Sequence, residues 1–268
     1  MARYRAQVAY DGTPYQGFQR QSNALTVQGE VEAALTRIIG HPVTLWGAGR
    51  TDTGVHAVGQ VIGFDAEWPH SENALLAAMN FQLPPTIAVQ SLVEQAEFYP
   101  RRNVRARRYR YEVWTASVRD PLLVNRAWHV PAVLDLSAMQ RAADLLVGEH
   151  DFATFGHAPN GQNTVRRVFV SHWERVPQST GVRYTYTIEA TAFLHHMVRR
   201  VVALLVAVGR GQRSLNDFET AFRGVDVKYA LPPAPPQGLT LEAVTYVTDA
   251  QAETSFGAPH IPRDVDGE

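Results

Sequence analysis

The chain has 268 residues, 45% of them apolar and 19% charged, which is ordinary globular composition and enough for two modest domains or one large one. It contains no cysteine, which excludes disulfides, thiolate zinc centres and cysteine nucleophiles and leaves its chemistry to oxygen and nitrogen groups. A formal net charge of −1 argues against a uniformly basic nucleic-acid binder, although the charges are segregated along the chain.

In chain order, the start Met1-Ala2-Arg3-Tyr4-Arg5 lacks the apolar segment of a signal peptide. Residues 3–10 alternate Tyr4, Ala6, Val8 and Tyr10 and predict a strand, and 26–39 space Val27, Val31, Ala34, Leu35, Ile38 and Ile39 for a helix. Strands near 42–47 and 56–65, a helix over 71–79 and a strand near 86–94 complete a β-α-β-β-α-β order. A second pass begins with a strand over 107–115 and a helix opened by Ser137-Ala138-Met139-Gln140, a capping-box pattern. Strands near 165–175 and 182–192 follow, then a helix over 194–208, a helix capped at Ser214-Leu215-Asn216-Asp217, and a strand near 239–247.

The repeated order predicts an α/β protein of two successive ferredoxin-like halves, 1–105 and 106–248, each an antiparallel or mixed sheet covered by helices on one face. The uncovered sheet faces are expected to form the active cleft between the halves. Residues 231–238, with four prolines, read as a stiff loop, and 249–268 as a polar tail. The longest apolar run, 201–208, is far short of a membrane span and follows Arg199 and Arg200 directly, so a cytoplasmic protein is expected.

Residues 47–59 form a glycine-studded loop in which one carboxylate, Asp52, stands between Arg50 and the threonines Thr51 and Thr53. A turn aspartate that bonds its own backbone and a reactive carboxylate both fit this setting. From 51 to 100 there is no cation, and then Arg101, Arg102, Arg105, Arg107, Arg108 and Arg110 follow in close order. Arginine offers a flat fork suited to phosphate, so this cluster is a candidate grip on a nucleic-acid backbone; a solvated face and genomic base bias explain it equally well. In Arg107-Arg108-Tyr109-Arg110-Tyr111 the tyrosines share one strand face with arginines on the other, which suits either a half-buried core strand or a base-stacking surface. His195 and His196 open the helix over 194–208, where neighbours point about 100° apart, and this argues against a metal pair. Arg199, beside Met197, Val198, Val201 and Val202, must either leave the core or find an anion. The glycines match neither dinucleotide nor phosphate-loop spacing.

Taken together, Gly49-Arg50-Thr51-Asp52-Thr53-Gly54-Val55-His56, Tyr10-Asp11-Gly12-Thr13 and Gly17-Phe18-Gln19-Arg20 ahead of it, and Arg107-Arg108-Tyr109-Arg110-Tyr111 after it resemble the tRNA pseudouridine synthase A family. Asn80 with Leu83-Pro84, Gly148-Glu149-His150-Asp151-Phe152, residues 193–199, and Gly238-Leu239-Thr240-Leu241 with Val244 and Tyr246 continue the likeness in order over nearly the whole chain. The resemblance implies the pseudouridine synthase fold and an isomerase that turns uridine into pseudouridine in the anticodon arm of tRNA, at positions 38 to 40. It implies no cofactor, no metal and a homodimer. It also assigns Asp52 as the essential aspartate, Tyr109 as the base-stacking tyrosine, Arg199 as the arginine that pairs with the aspartate, and Arg50 as the arginine near the flipped nucleotide. Leu239 joins them as a substrate-binding residue. Thr53 departs from the alanine usual in the motif. A non-catalytic RNA-binding module and a carboxylate-based N-glycosidase are the rival classes.

Overall fold

The computed structural model describes residues 1–158, 161–224 and 231–247; the 249–268 tail lies outside them. The first pass reads β1 (Ala2–Tyr10), α1 (Val27–Ile39), β2 (Leu45–Gly47), β3 (His56–Ala66), α2 (Glu72–Gln82) and β4 (Ile87–Glu94). The alternation in β1 buries Tyr4, Ala6, Val8 and Tyr10 in the core. Thr26 caps α1 by accepting from the Gly29 N–H, and Gly40 ends it at φ 87°, a left-handed conformation that costs glycine nothing.

The second pass reads β5 (Val104–Thr115), β6 (Trp128–His129), α3 (Leu136–Asp144), β7 (Gly148–Asp151), β8 (Val165–Gln178), β9 (Gly181–Ala190), α4 (Met197–Gly209), α5 (Leu215–Arg223) and β10 (Leu239–Tyr246). Ser214 and Asp217 make the expected capping box of α5. The box expected at Ser137 does not form. Asp135 caps α3 instead, accepting from the Ala138 N–H at 2.9 Å. Gln140 is drawn away to β8, where its side chain bonds the Ser171 carbonyl and the Trp173 N–H. β6 and β7 are too short and too polar to carry a period-two signal. Of the residues in α4, only Arg199 and Arg200 are not buried, so this helix is a core element with two cations at its first turn.

The ten strands of the described residues join in one mixed sheet, ordered β4-β1-β3-β10-β5-β9-β8-β7, with β2 added to β3 and β6 to β5. The two passes therefore lie side by side in one continuous sheet rather than as two separate sheets, one for each half, as the sequence suggested. The reason is the length of β2. It covers β3 only at Ile62, Gly63 and Phe64, which leaves the other end of β3 free. There β10 pairs in parallel, Thr240 with His56 and Leu241 with Ala57. Gly59 permits the approach, since a Cβ on it would lie 1.9 Å from the Glu242 carbonyl oxygen. This seam lies directly after the glycine-rich loop. Among the described residues no helix is long and apolar enough to cross a membrane.

Candidate active site

The loop between β2 and β3 is held from several sides before it presents Asp52. The Gln60 amide donates to the Gly49 carbonyl at 2.9 Å, and the Tyr10 hydroxyl meets Thr51 Oγ1 at 2.8 Å. From the segment after β1, the Phe18 N–H donates to the Thr51 carbonyl and the Gly54 N–H to the Tyr15 carbonyl. Gly17, at φ 87°, sits so close that a Cβ would lie 2.9 Å from the Thr51 oxygen. The early Tyr10-Asp11-Gly12-Thr13 and Gly17-Phe18 motifs thus form the back of the loop. The turn itself is closed by the backbone, with the Val55 N–H donating to the Asp52 carbonyl. The Asp52 carboxylate is left to face the cavity. Thr53 is exposed, so its extra methyl and hydroxyl point away from this support.

Opposite Asp52 stands the start of α4. Arg199 Nη1 donates to Asp52 Oδ2 at 3.1 Å, while Arg199 Nε donates to the Ala234 carbonyl at 2.7 Å. The guanidinium fork is shared between the carboxylate and the 231–238 segment. His195 and His196 are not on helix faces as the sequence pattern suggested. Helix α4 starts only at Met197, because His196 adopts a left-handed conformation at φ 62°, unusual for a residue with a Cβ. That kink stacks the two imidazoles, with centroids 3.7 Å apart and planes 28° apart, and turns both toward Asp52. His196 Nε2 lies 3.4 Å from Oδ2 and His195 Nε2 lies 3.8 Å from Oδ1. Burial lowers the pKa of His196, against the opposing pull of the Asp52 charge. Asp52, His195 and His196 bring one ligand atom each within 4.8 Å. Two imidazole nitrogens and a carboxylate are a donor set of a kind that can hold a metal ion.

Asp52, Arg50, Tyr109, Arg101, Arg199 and Leu239 all line one cavity of about 520 Å³. Both passes of the chain contribute to it. A second concavity of about 500 Å³ is bordered by Gly17, Phe18 and Pro236, and Arg50, Asp52 and Arg199 border it as well. Asp52 therefore stands between two hollows, with the exposed Arg50 reaching both. Tyr109 is buried, packs edge to face on Phe193 at 5.1 Å, and has its hydroxyl pKa pushed up to about 12 by burial. It is a neutral phenol at physiological pH. Leu239 opens β10 opposite Tyr111.

The arginine cluster does not form one patch. Arg108 pairs with Glu189 at 2.7 Å, and Arg110 with Glu242 at 2.7 Å and with Glu112, so the charges of both are met by neighbouring strands. Arg107 shares the face of Tyr109 rather than of the other arginines. It reaches into the cavity, where it donates to the Ala48 carbonyl at 2.7 Å and the Thr191 carbonyl at 3.2 Å. Arg101 borders the same cavity and donates to the Gly47 carbonyl, Arg102 lies 5.7 Å from the Tyr99 ring, and Arg105 is exposed. Parity along the strand would have placed Arg107 correctly, since 107, 109 and 111 share a face. The approach of His195 and His196 to Asp52 carries no such signal, because it depends on one left-handed residue.

The chain belongs to the tRNA pseudouridine synthase family, whose sequence profile it matches over residues 6–99 and 142–247. Pseudouridine synthases are isomerases, and this chain is one. Within the family it is similar to proteins named tRNA pseudouridine synthase A. That of Myxococcus xanthus is 40% identical over 266 residues, covering 98% of this chain and 99% of the relative. The proteins of Brevibacillus brevis and Syntrophotalea carbinolica are 40% and 41% identical, each covering 92% of this chain and nearly all of its own length.

Proposed function

We propose that this chain isomerises uridine to pseudouridine in tRNA, with Asp52 as the essential carboxylate, acting on positions 38 to 40 of the anticodon arm as a cytoplasmic homodimer without cofactor or metal. Family membership supports the tRNA reaction. The observation that carries the site assignment is the Asp52 carboxylate, freed from its own turn and held by Arg199 between two hollows.

The reaction breaks the bond between N1 of the base and C1′ of the ribose, turns the base while it is held, and joins C5 to C1′. The C5 proton is lost and N1 gains one, so the product has the mass of the substrate. In this reading Asp52 acts at the sugar or the base while Arg199, bonded to Oδ2 at 3.1 Å, keeps it aimed. Tyr109 and Leu239 hold the base, and Tyr109, a neutral phenol, takes part in the C5 proton step only by passing on its own proton as it receives another. Pulling a base out of the stack costs a few kcal/mol, and in this reading Arg50, which borders both hollows, fills the gap it leaves. Arg101, Arg102 and Arg105 would meet backbone phosphate.

Incubating the protein with tRNA and analysing its nucleosides tests this. Pseudouridine at unchanged RNA mass, absent with Asp52→Asn, is the expected result. Release of free uracil would indicate an N-glycosidase, and bound but unaltered tRNA a binding module.

A further inference from the structure

We propose that the proline-rich segment 231–238 is a strap that sets Arg199 against Asp52, and that His56 is the positioning residue anchoring its far end. The inference rests on the reading of Asp52 and Arg199 as the reacting pair. Carbonyl oxygens of this short segment take side-chain donors in succession. Ala234 accepts from Arg199 Nε at 2.7 Å, Pro235 from the Tyr111 hydroxyl at 2.8 Å, and Gln237 from His56 Nε2 at 3.1 Å. The Ala234 N–H returns a bond to the Arg199 carbonyl. Pro235 and Pro236 have no N–H and a fixed φ, and Pro236 opens a single 3-10 turn over Pro236–Gly238 that leads into β10. It is also pressed onto its supports. A Cβ on Gly238 would lie 2.6 Å from the Tyr111 ring, and one on Gly54 in the catalytic loop 3.1 Å from Pro236.

His56 is fixed for this task. The Gly12 N–H donates to His56 Nδ1 at 2.9 Å, and a backbone N–H can only donate. The proton of the neutral ring is therefore on Nε2, where it is given to Gln237. Asp11 Oδ1 lies 3.1 Å from Nδ1, and the other Asp11 oxygen is held by Arg126 at 2.7 Å. Arg126 Nη1 lies 3.4 Å from the same Nδ1 as a second donor, while Asp11 Oδ1 is taken by Thr13, so a line of contacts runs from Arg126 through His56 and the strap to Arg199 and Asp52. His56 borders neither hollow, so its effect on turnover is exerted through the strap.

The test uses the full chain and tRNA, with kcat, KM and melting temperature measured for His56→Asn, His56→Gln, Arg126→Gln and Asp52→Asn. Asparagine can replace Nδ1 toward Gly12 but cannot reach Gln237, whereas glutamine can reach the Nε2 position. His56→Asn should lower kcat by about 10- to 100-fold, as expected of a misaligned reacting pair, with KM nearly unchanged and with activity largely recovered in His56→Gln. Arg126→Gln, a half-exposed change outside the core, should lower kcat in the same sense with little effect on melting. The strap proposal is overturned if asparagine and glutamine lose activity equally and in step with melting temperature, or if KM changes in place of kcat. If Asp52→Asn retains activity, the reading of the site itself fails. If Asp52→Asn is dead while His56→Asn turns over normally, only the strap proposal fails.

Discussion

Arg199→Lys is the substitution whose outcome follows most directly from the geometry. The guanidinium serves two acceptors in different directions, Asp52 Oδ2 at 3.1 Å through Nη1 and the Ala234 carbonyl at 2.7 Å through Nε. A lysine ammonium is a single compact centre on a flexible stem and can satisfy one of them. The Arg199 side chain is only 14% exposed, so water does not readily replace the missing partner. Leaving a buried acceptor unsatisfied costs about 1–3 kcal/mol, and each kcal/mol lowers the melting point of a chain of this size by about 2–4 °C. The expected loss is therefore about 2–12 °C, measurable by calorimetry or circular dichroism. Turnover suffers more, because displacing a reacting group by about 1 Å costs on the order of 100-fold. Pseudouridine formation, followed by tritium release from tRNA labelled at C5, should fall by about that factor while tRNA affinity changes little. A variant with both the normal rate and the normal melting temperature would refute the reasoning, since the fork would then have no function that a point charge lacks.

Asp52→Asn should abolish pseudouridine formation in a chemical-label assay yet bind tRNA within a small factor of wild type, because the amide keeps the shape and loses the charge. Replacing Arg101, Arg102 and Arg105 with glutamine should flatten the dependence of log affinity on log salt by about 0.7–0.9 for each phosphate that is no longer neutralised. Replacing Arg108 and Arg110 should leave that slope alone, because Glu189, Glu242 and Glu112 already hold them; equal slopes for the two sets would contradict this division. Tyr109→Phe should bind tRNA and turn over slowly, whereas Tyr109→Ala should also lose affinity; normal turnover by the Phe variant would restrict the residue to stacking. Burial raises the folded pKa of Tyr109 from an ordinary 10.0 to about 12 and raises those of Tyr10, Tyr111 and Tyr186 in the same direction. Their contribution is full below about pH 10 and is lost as pH rises through the folded values, so denaturant midpoints should fall steadily above that pH.

The elements with strong periodicity and local stop signals were legible without coordinates. β1 shows its alternation, α1 has Thr26 and Gly40 at its ends, and α5 has its capping box, all within a few residues of sequence. Asp52 was legible because its loop is local. Its partnership with Arg199 came from the family resemblance, and the apolar helix itself required only some anion. Relations that depend on the third dimension were not legible. The parallel pairing of β3 with β10 follows from the shortness of β2, and whether a neighbouring strand leaves an edge open is not encoded in the strand that uses it. Arg108 and Arg110 look like free cations until β9 and β10 bring Glu189 and Glu242 beside them. His195 and His196 depend on a single positive φ, which a helix-forming pattern conceals.

The seam between β3 and β10 also fixes an order of events during synthesis. His56 and Gln237 are 181 positions apart, and the strand beside the Asp52 loop is among the last parts of the described chain to be made. Until β10 leaves the ribosome, the growing polypeptide has its Asp52 loop but lacks both the strand that flanks it and the Ala234 carbonyl that Arg199 bonds. A chain that ends before β10 would lack both of these supports of the Asp52 loop. Closing so long a loop is entropically slow, so competence should appear as a late, single step rather than grow with chain length.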